Sequence, residues 1–316
     1  MTRSNRRQPR VRTLQTPPAA GTSPTRPRPR SGAAPTRRRL RVRGLFLIAC
    51  LPALLATPSL YAAKGPYDWA RIRLDFVRQK KVKRLNDYVT RMHKLAQRAA
   101  ADKRISLFFK MNLHYDSARQ SGQTVPPALA NKIKHHRQRF VEYYSRRYFP
   151  FFDLLFIDTG GRVFYTLRRE KDLYTDLTTK PSVDQALGKL IATKPTKEAF
   201  VDYHHYGPSA EPAAFFVEPV RIKGQIVGWL GLQCAVNKMN AIFAAPEDMG
   251  RTGETFLVNK GGFMLTESAF KGEPTILKQH LDDQNIKAKF KAGAGHRTVI
   301  DYRQARALSS FEVVEF

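Results

Sequence analysis

Two short segments hold residues able to grip a small solute. In the first, FYTLRRE, Arg168 and Arg169 could hold a carboxylate through paired N–H donors, and Tyr165 offers an apolar face with a hydroxyl. In the second, DYHHYGPSAEPAAFF, Asp202 suits an amine and Tyr203 and Tyr206 repeat the tyrosine chemistry. Pro208-Ser209 sets a hydroxyl and free backbone N–H groups on a turn, and Tyr206 with Ser209 is the leading pair. Plainer readings stand beside these. Only every second strand residue faces inward, so about half of the tyrosines are surface or ordinary core. Arg168-Arg169-Glu170-Lys171-Asp172 also reads as a solvated charged turn, and Phe215 and Phe216 as core. His204-His205 lacks a third ligand at a workable spacing, and His135-His136 sits on a helix where neighbours diverge, so no metal is expected. There is no G-x-S-x-G elbow, phosphate loop or H-E-x-x-H, and Gly250-Arg251-Thr252-Gly253 is too short for a dinucleotide loop. Neither an enzyme nor a cofactor is expected.

The elements that carry these residues are legible from period. FFDLLFIDTGGRVFYTL reads as strand, turn, strand, with Asp158-Thr159-Gly160-Gly161 turning. A helix comes next near Ser182–Thr193, then AFVDYHHY, AAFFVEPVRI and QIVGWLGLQCAV as strands, then a short helix over Asn237–Phe243. A second, shorter copy runs through GETFLV, Asn259–Gly262, FMLTES, a helical stretch within Pro274–Ala292, and strands in TVIDYRQARALSSFEVVEF. Ahead of the sheets lies helix. Tyr67–Ala101 reads as one long helix with Ile72, Phe76, Val82, Leu85, Val89, Met92, Leu95, Ala96 and Ala99 on its apolar stripe. Ile105–Leu113 and Ala128–Tyr148 give two more, the latter with Leu129, Ile133, Phe140 and Tyr144 inward. The fold class is α+β: PAS-like antiparallel sheets packed on a long helix.

The formal charge of +29 suggests nucleic acid until it is located. Residues 1–43 carry 13 Arg and no acid, residues 64–148 carry 21 Lys and Arg against 6 acids, and residues 149–316 carry 21 against 20. The excess belongs to the leader and helices, where it reads as solvated faces or as contact with an anionic membrane surface. No nucleic-acid-binding motif accompanies it, and no nucleic-acid partner is expected. Residues 1–43 are rich in Pro, Arg, Ser and Thr and read as a disordered leader. Residues 44–63 then run without a charge for 20 residues, behind Arg37, Arg38, Arg39, Arg41 and Arg43. That pattern reads as a transmembrane anchor or as a signal peptide cleaved after Ala62, with the N-terminus cytoplasmic if uncleaved. Either way, the chain beyond this run is exported to the periplasm or further. Two cysteines, Cys50 in this run and Cys234 in a strand, imply no disulfide framework.

FDLLFIDTGGRVFYTLRREKDLYTDL, DYHHYGPSAEPAAFFVEPV, and GRTGETFLVNKGGFMLTESAF followed by DYRQARALSSFEVVEF, taken in this order, resemble the double-Cache sensor domains. These form the extracytoplasmic part of bacterial chemoreceptors, sensor kinases and cyclases. The resemblance spans about 66–316. It implies a stalk helix and membrane-distal lobe over 66–240 and a membrane-proximal lobe over 241–316. It implies a small-molecule ligand in the distal lobe, lined by the two segments above, and a homodimer through the stalk helix. The implied role is input module of a transmembrane signalling protein, with a soluble periplasmic binding module or a truncated remnant as alternatives. Two departures matter. The chain ends in a strand of an incomplete proximal lobe, where the family continues to a further strand, a second span and an output domain. An Arg followed closely by Trp-Tyr, which marks amino-acid-binding members, is missing, so the ligand class stays open.

Overall fold

A computed structural model describes residues 43–52, 65–179, 185–244, 249–281 and 283–315. The leader up to residue 42 and the stretch 53–64 lie outside the described residues. The elements in chain order are β1 (Arg43–Pro52), α1 (Pro66–Ala100), α2 (Lys103–Gln120), α3 (Pro127–Arg147), β2 (Phe151–Asp158), β3 (Val163–Thr166), α4 (Gln185–Ala192), β4 (Ala199–Tyr206), β5 (Glu211–Ile222), β6 (Gln225–Ala235), α5 (Val236–Ala244), β7 (Glu254–Val258), α6 (Asp283–Ala292), β8 (Ala294–Ile300) and β9 (Arg306–Glu315). This is the expected α+β layout.

Local chemistry sets the helix ends. Pro66 opens α1, and the Gly65 N–H donates to the Asp68 carboxylate at 3.1 Å. Asp102 caps α2 by accepting from the Arg104 N–H at 2.8 Å. α2 runs a further two turns beyond the expected Leu113, and Gly122 beyond its end takes φ +68°.

β3-β2-β6-β5-β4 form an antiparallel five-stranded sheet. Asp158 Oδ1 builds the β2–β3 turn by accepting the N–H groups of Gly160 at 2.8 Å and Arg162 at 3.0 Å. Lys223 and Gly224, both at positive φ, join β5 to β6. Strand alternation gives this sheet two faces. One turns Leu154, Phe156, Phe216, Leu230 and Leu232 toward α1, α2 and α3. The other turns Leu155, Ile157, Phe215, Val217 and Trp229 toward α4 and the segment before it. Close approach makes this cover possible: a Cβ on Gly188 of α4 would lie 2.1 Å from the Leu177 carbonyl oxygen.

The second sheet has the order β7-β1-β9-β8, and Met264 bridges to Val258 beside β7. It repeats the plan of the first, with its central place held by β1. That strand pairs antiparallel with β7 from Phe46↔Val258 to Cys50↔Glu254, and with β9 from Arg43↔Glu315 to Pro52↔Ala307. The first half of the run read as a membrane span or signal peptide therefore follows a strand path here. An uncharged apolar run can read as a central strand or as a helix, so hydropathy does not separate them. Among the described residues no helix is long and apolar enough to cross a membrane.

α1 serves both sheets. Met92, Ala96 and Ala99 pack on the first; Leu74, Val77, Val82 and Leu85 pack on the second. Ile72 and Phe76, expected on the inward stripe, are instead 42% and 65% exposed, and with Trp69 they form a second apolar stripe. A helix apolar on two faces gives spacing no means of choosing between them. The inward line instead includes Lys81, fully buried, whose Nζ donates to the carbonyls of Ile242 at 2.7 Å and Phe243 at 3.3 Å, at the end of α5. A cation there satisfies carbonyls that the helix leaves without partners. Lys81→Met keeps the apolar stem and removes the donor; it should lower unfolding free energy by about 1–3 kcal/mol in urea titration, with an unchanged denaturant slope.

Candidate functional site

The residues singled out by sequence divide between the two faces of the first sheet. Tyr165 lies on the helix-covered face, buried against Phe108 at 5.2 Å and Phe156 at 4.8 Å between ring centroids. Asp202 and Tyr203 lie at an irregularity in β4 between Val201 and His204, and border a narrow gap against Tyr88 and Met92 of α1. Burial raises the Asp202 carboxyl above its ordinary range. Arg168 points away from both, with Nε donating to the Phe152 carbonyl at 2.9 Å and its guanidinium 3.6 Å from the Phe152 ring centre. Arg169 is exposed, and its backbone N–H donates to Thr166 Oγ1 at 2.6 Å. Tyr165, Asp202 and Tyr203 thus do not share a site with Tyr206 and Ser209, whereas Arg168 reaches that neighbourhood through its backbone N–H, which donates to Asp153 at 3.1 Å, and through its charge on Glu170.

Tyr206 and Ser209 do meet one constellation, at the end of the α4-covered face. The Tyr206 hydroxyl donates to Asp172, which is fully buried. The Gln233 Nε2 donates to Ser209 Oγ at 3.3 Å. Gln233 on β6 pairs in register with Asp153 on β2, and Asp153 is also fully buried. Glu170 stands near both Asp153 and Asp172, close enough to interact electrostatically. Sequence reading missed Asp153 and Gln233. The signal was an acid inside the apolar strand FFDLLFID, two residues before Leu155 on the same face.

Asp153 dominates the electrostatics. Its Oδ1 accepts the N–H groups of Leu154 at 2.7 Å, Leu167 at 3.0 Å and Arg168 at 3.1 Å. Its Oδ2 has no hydrogen-bond donor among the described residues. Burial, reinforced by Asp172 and Glu170, pushes the carboxyl up to about 7 despite those N–H bonds. Burial and Asp172 also raise Glu170, against the opposing charge of Arg168. Oε2 of Glu170 and Oε1 of Gln233 likewise lack a donor among the described residues. Among the described residues the corner thus offers three acceptor atoms without a donor, Asp153 Oδ2, Glu170 Oε2 and Gln233 Oε1, with the charge of Arg168 acting on Glu170 from beside it. Such a corner suits a group that brings both charge and N–H donors, namely an ammonium.

The second lobe provides an internal control. Glu254, near the start of β7, accepts from the Tyr302 hydroxyl, from Ser268 Oγ at 3.2 Å and from the Ala269 N–H at 3.1 Å. That carboxylate is satisfied within its own lobe. Among the described residues no group of three or more His, Cys, Asp or Glu could hold a metal ion.

Asp153 makes stability fall with pH. A carboxyl raised in the folded state holds its proton more tightly than in the unfolded chain, so its stabilisation is complete below about 4 and lost as pH rises toward about 7. Asp153→Asn removes that term. The stability of the variant relative to the parent should rise by about 2–4 kcal/mol between pH 4 and pH 8, read from denaturant titrations at each pH.

No protein-family model matches the chain, and no curated protein matches it. Solved structures do. An extracellular ligand-binding receptor from Desulfohalobium retbaense matches at 11% identity over 76% of this chain and 40% of that one, with a TM-score of 0.47; this chain thus spans well under half of that receptor. The ligand-binding domain of the Pseudomonas fluorescens chemoreceptor CtaA, in complex with L-valine, matches at 12% identity over 77% of this chain and 96% of that one, TM-score 0.45. That of the Campylobacter jejuni chemoreceptor Tlp3, in complex with 4-methylisoleucine, matches at 11% identity over 82% and 96%, TM-score 0.48. By their descriptions these are a ligand-binding receptor and two ligand-binding domains of chemoreceptors. At this level of likeness neither their ligands nor their partners transfer to this chain.

Proposed function

We propose that this chain is an extracytoplasmic sensing domain, the input module of a transmembrane signalling protein, and that its first lobe binds the ammonium group of a small solute at Asp153. The observation that carries the ligand class is the buried Asp153 carboxyl, whose Oδ2 meets no donor among the described residues. An arriving ammonium supplies three N–H donors and a charge, and favours the ionised carboxylate. Tyr206, Ser209 and Gln233 border the same corner and shape what the ammonium can carry. Asp172 sits in the segment that α4 covers, so engagement of the corner bears on that cover. A signal requires that the solute bind one arrangement of the cover better than another.

The basic leader and the uncharged run behind it support export. The exposed stripe of Trp69, Ile72 and Phe76 supports a homodimer along α1; light scattering that finds only monomer removes that part. The strand path of Arg43–Pro52 favours a second reading, a soluble binding module, because a segment paired in the sheet is not at the same time in a bilayer.

The test is a thermal-shift series on the full chain at pH 8 with ethylammonium, putrescine, L-alanine and L-lysine, against acetate and succinate. An amine at about 100 times its dissociation constant adds about 2.7 kcal/mol, roughly 5–10 °C. The shift should vanish in Asp153→Asn, and affinity should weaken roughly tenfold per pH unit below 7 as protons compete for the carboxylate. Stabilisation by the carboxylates alone, or an undiminished amine shift in Asp153→Asn, contradicts the reading.

A further inference from the structure

A separate cavity of about 280 Å³ opens between α2 and α3, on the side of the first lobe away from the acidic corner. Its floor is apolar. Leu107, Phe108 and Met111 come from α2 at helical spacing, and Phe140 faces them from α3, stacked on Phe108 with ring centres 4.1 Å apart. Leu107 stands 61% exposed, so the cavity presents unfilled apolar surface to water. Its rim is cationic. Lys132, His136 and Arg139 project from successive turns of α3, and Arg104 lies across from them with its guanidinium 4.7 Å from the Tyr143 ring centre. Among the described residues no acid lines the cavity. Asp102 lies behind Tyr143 and is engaged by the Tyr143 and Tyr148 hydroxyls and the Arg104 N–H. Glu142 on α3 is exposed and is not part of the lining.

An apolar floor under a ring of cations matches one ligand chemistry: an amphiphilic anion with its tail inside and its head at the rim. We propose that the α2–α3 cavity binds a free monocarboxylate with a medium-length alkyl tail, held at its head by Arg104, Lys132 and Arg139. The cavity is large enough to take an alkyl chain of several methylenes. Octanoate serves as the reference ligand. This site is independent of the acidic corner, which lies on the opposite face of the sheet and favours the opposite charge.

Calorimetric titration of the full chain with butanoate, hexanoate, octanoate and decanoate tests it. Affinity should rise roughly fourfold per added methylene from butanoate and level off once the tail fills the cavity. Octanol should bind at least tenfold more weakly than octanoate, and octylamine more weakly still. Lys132→Gln combined with Arg139→Gln changes only exposed side chains; it should weaken octanoate at least tenfold and leave octanol unchanged. Asp153→Asn should leave octanoate binding intact. The proposal is overturned by absent octanoate binding, by octylamine binding as tightly as octanoate, or by an unchanged affinity in the double variant. Binding to phosphatidylglycerol vesicles without binding to octanoate also overturns it, and assigns the cations to a lipid surface instead.

Discussion

A carboxylate sunk in the face of a β-sheet is expensive unless both of its oxygens find partners. Asp153 has three N–H groups on one oxygen and no donor among the described residues on the other. The rest of the first lobe is arranged around that fact. The three N–H groups come from β2 itself and from the chain leaving β3, so the carboxylate fastens the start of the segment that covers its own face. That segment carries Glu170 and Asp172, and Gly188 of α4 packs on it closely enough that any side chain there would collide. The polar corner is thus part of the lobe's construction and also the place where its polar balance is incomplete.

α1 makes the two lobes one mechanical object. Its C-terminal half packs on the first sheet and its N-terminal half on the second, while α5 is locked to it through Lys81. Tyr203 packs against the clusters of both sheets, so β4, which also carries Tyr206, lies between the acidic corner and the helix. A change at the corner therefore has a short, solid route to α1. The second sheet depends on β1 for its central place. The apolar run from which β1 comes also reads as a membrane-targeting segment, so the integrity of that sheet and the fate of the run are linked.

Element identity was legible in the sequence because period carries it. The long helix, the hairpin at Asp158–Gly161 and the repeat of one plan in two lobes all come from spacing and turn chemistry. What spacing cannot report is which of two apolar faces turns inward, and so Ile72 and Phe76 are in solvent while the polar Lys81 is in the core. Nor can it separate a central strand from a helix in the uncharged run. At the candidate site, Tyr206 and Ser209 were readable from a turn beside a strand. Tyr165, Asp202 and Tyr203 went to the other face because register and an irregularity in β4 decide facing, and single residues do not announce either. Asp153 was hidden by its apolar neighbours. Its signature is a charge at an inward position, visible only once the strand's facing is fixed by its partners.

The most direct test tracks the Asp153 carboxyl itself. The full chain, labelled with ¹³C at aspartate side-chain carboxyls and assigned through Asp153→Asn, is titrated from pH 3 to pH 9 by NMR, alone and then saturated with the amine that gives the largest thermal shift. The structure predicts a free-state midpoint near 7, from burial beside Asp172 and Glu170, and a midpoint displaced toward the ordinary carboxylate range when the amine is bound. A free-state midpoint near 4, or one that saturating amine does not move, contradicts the account.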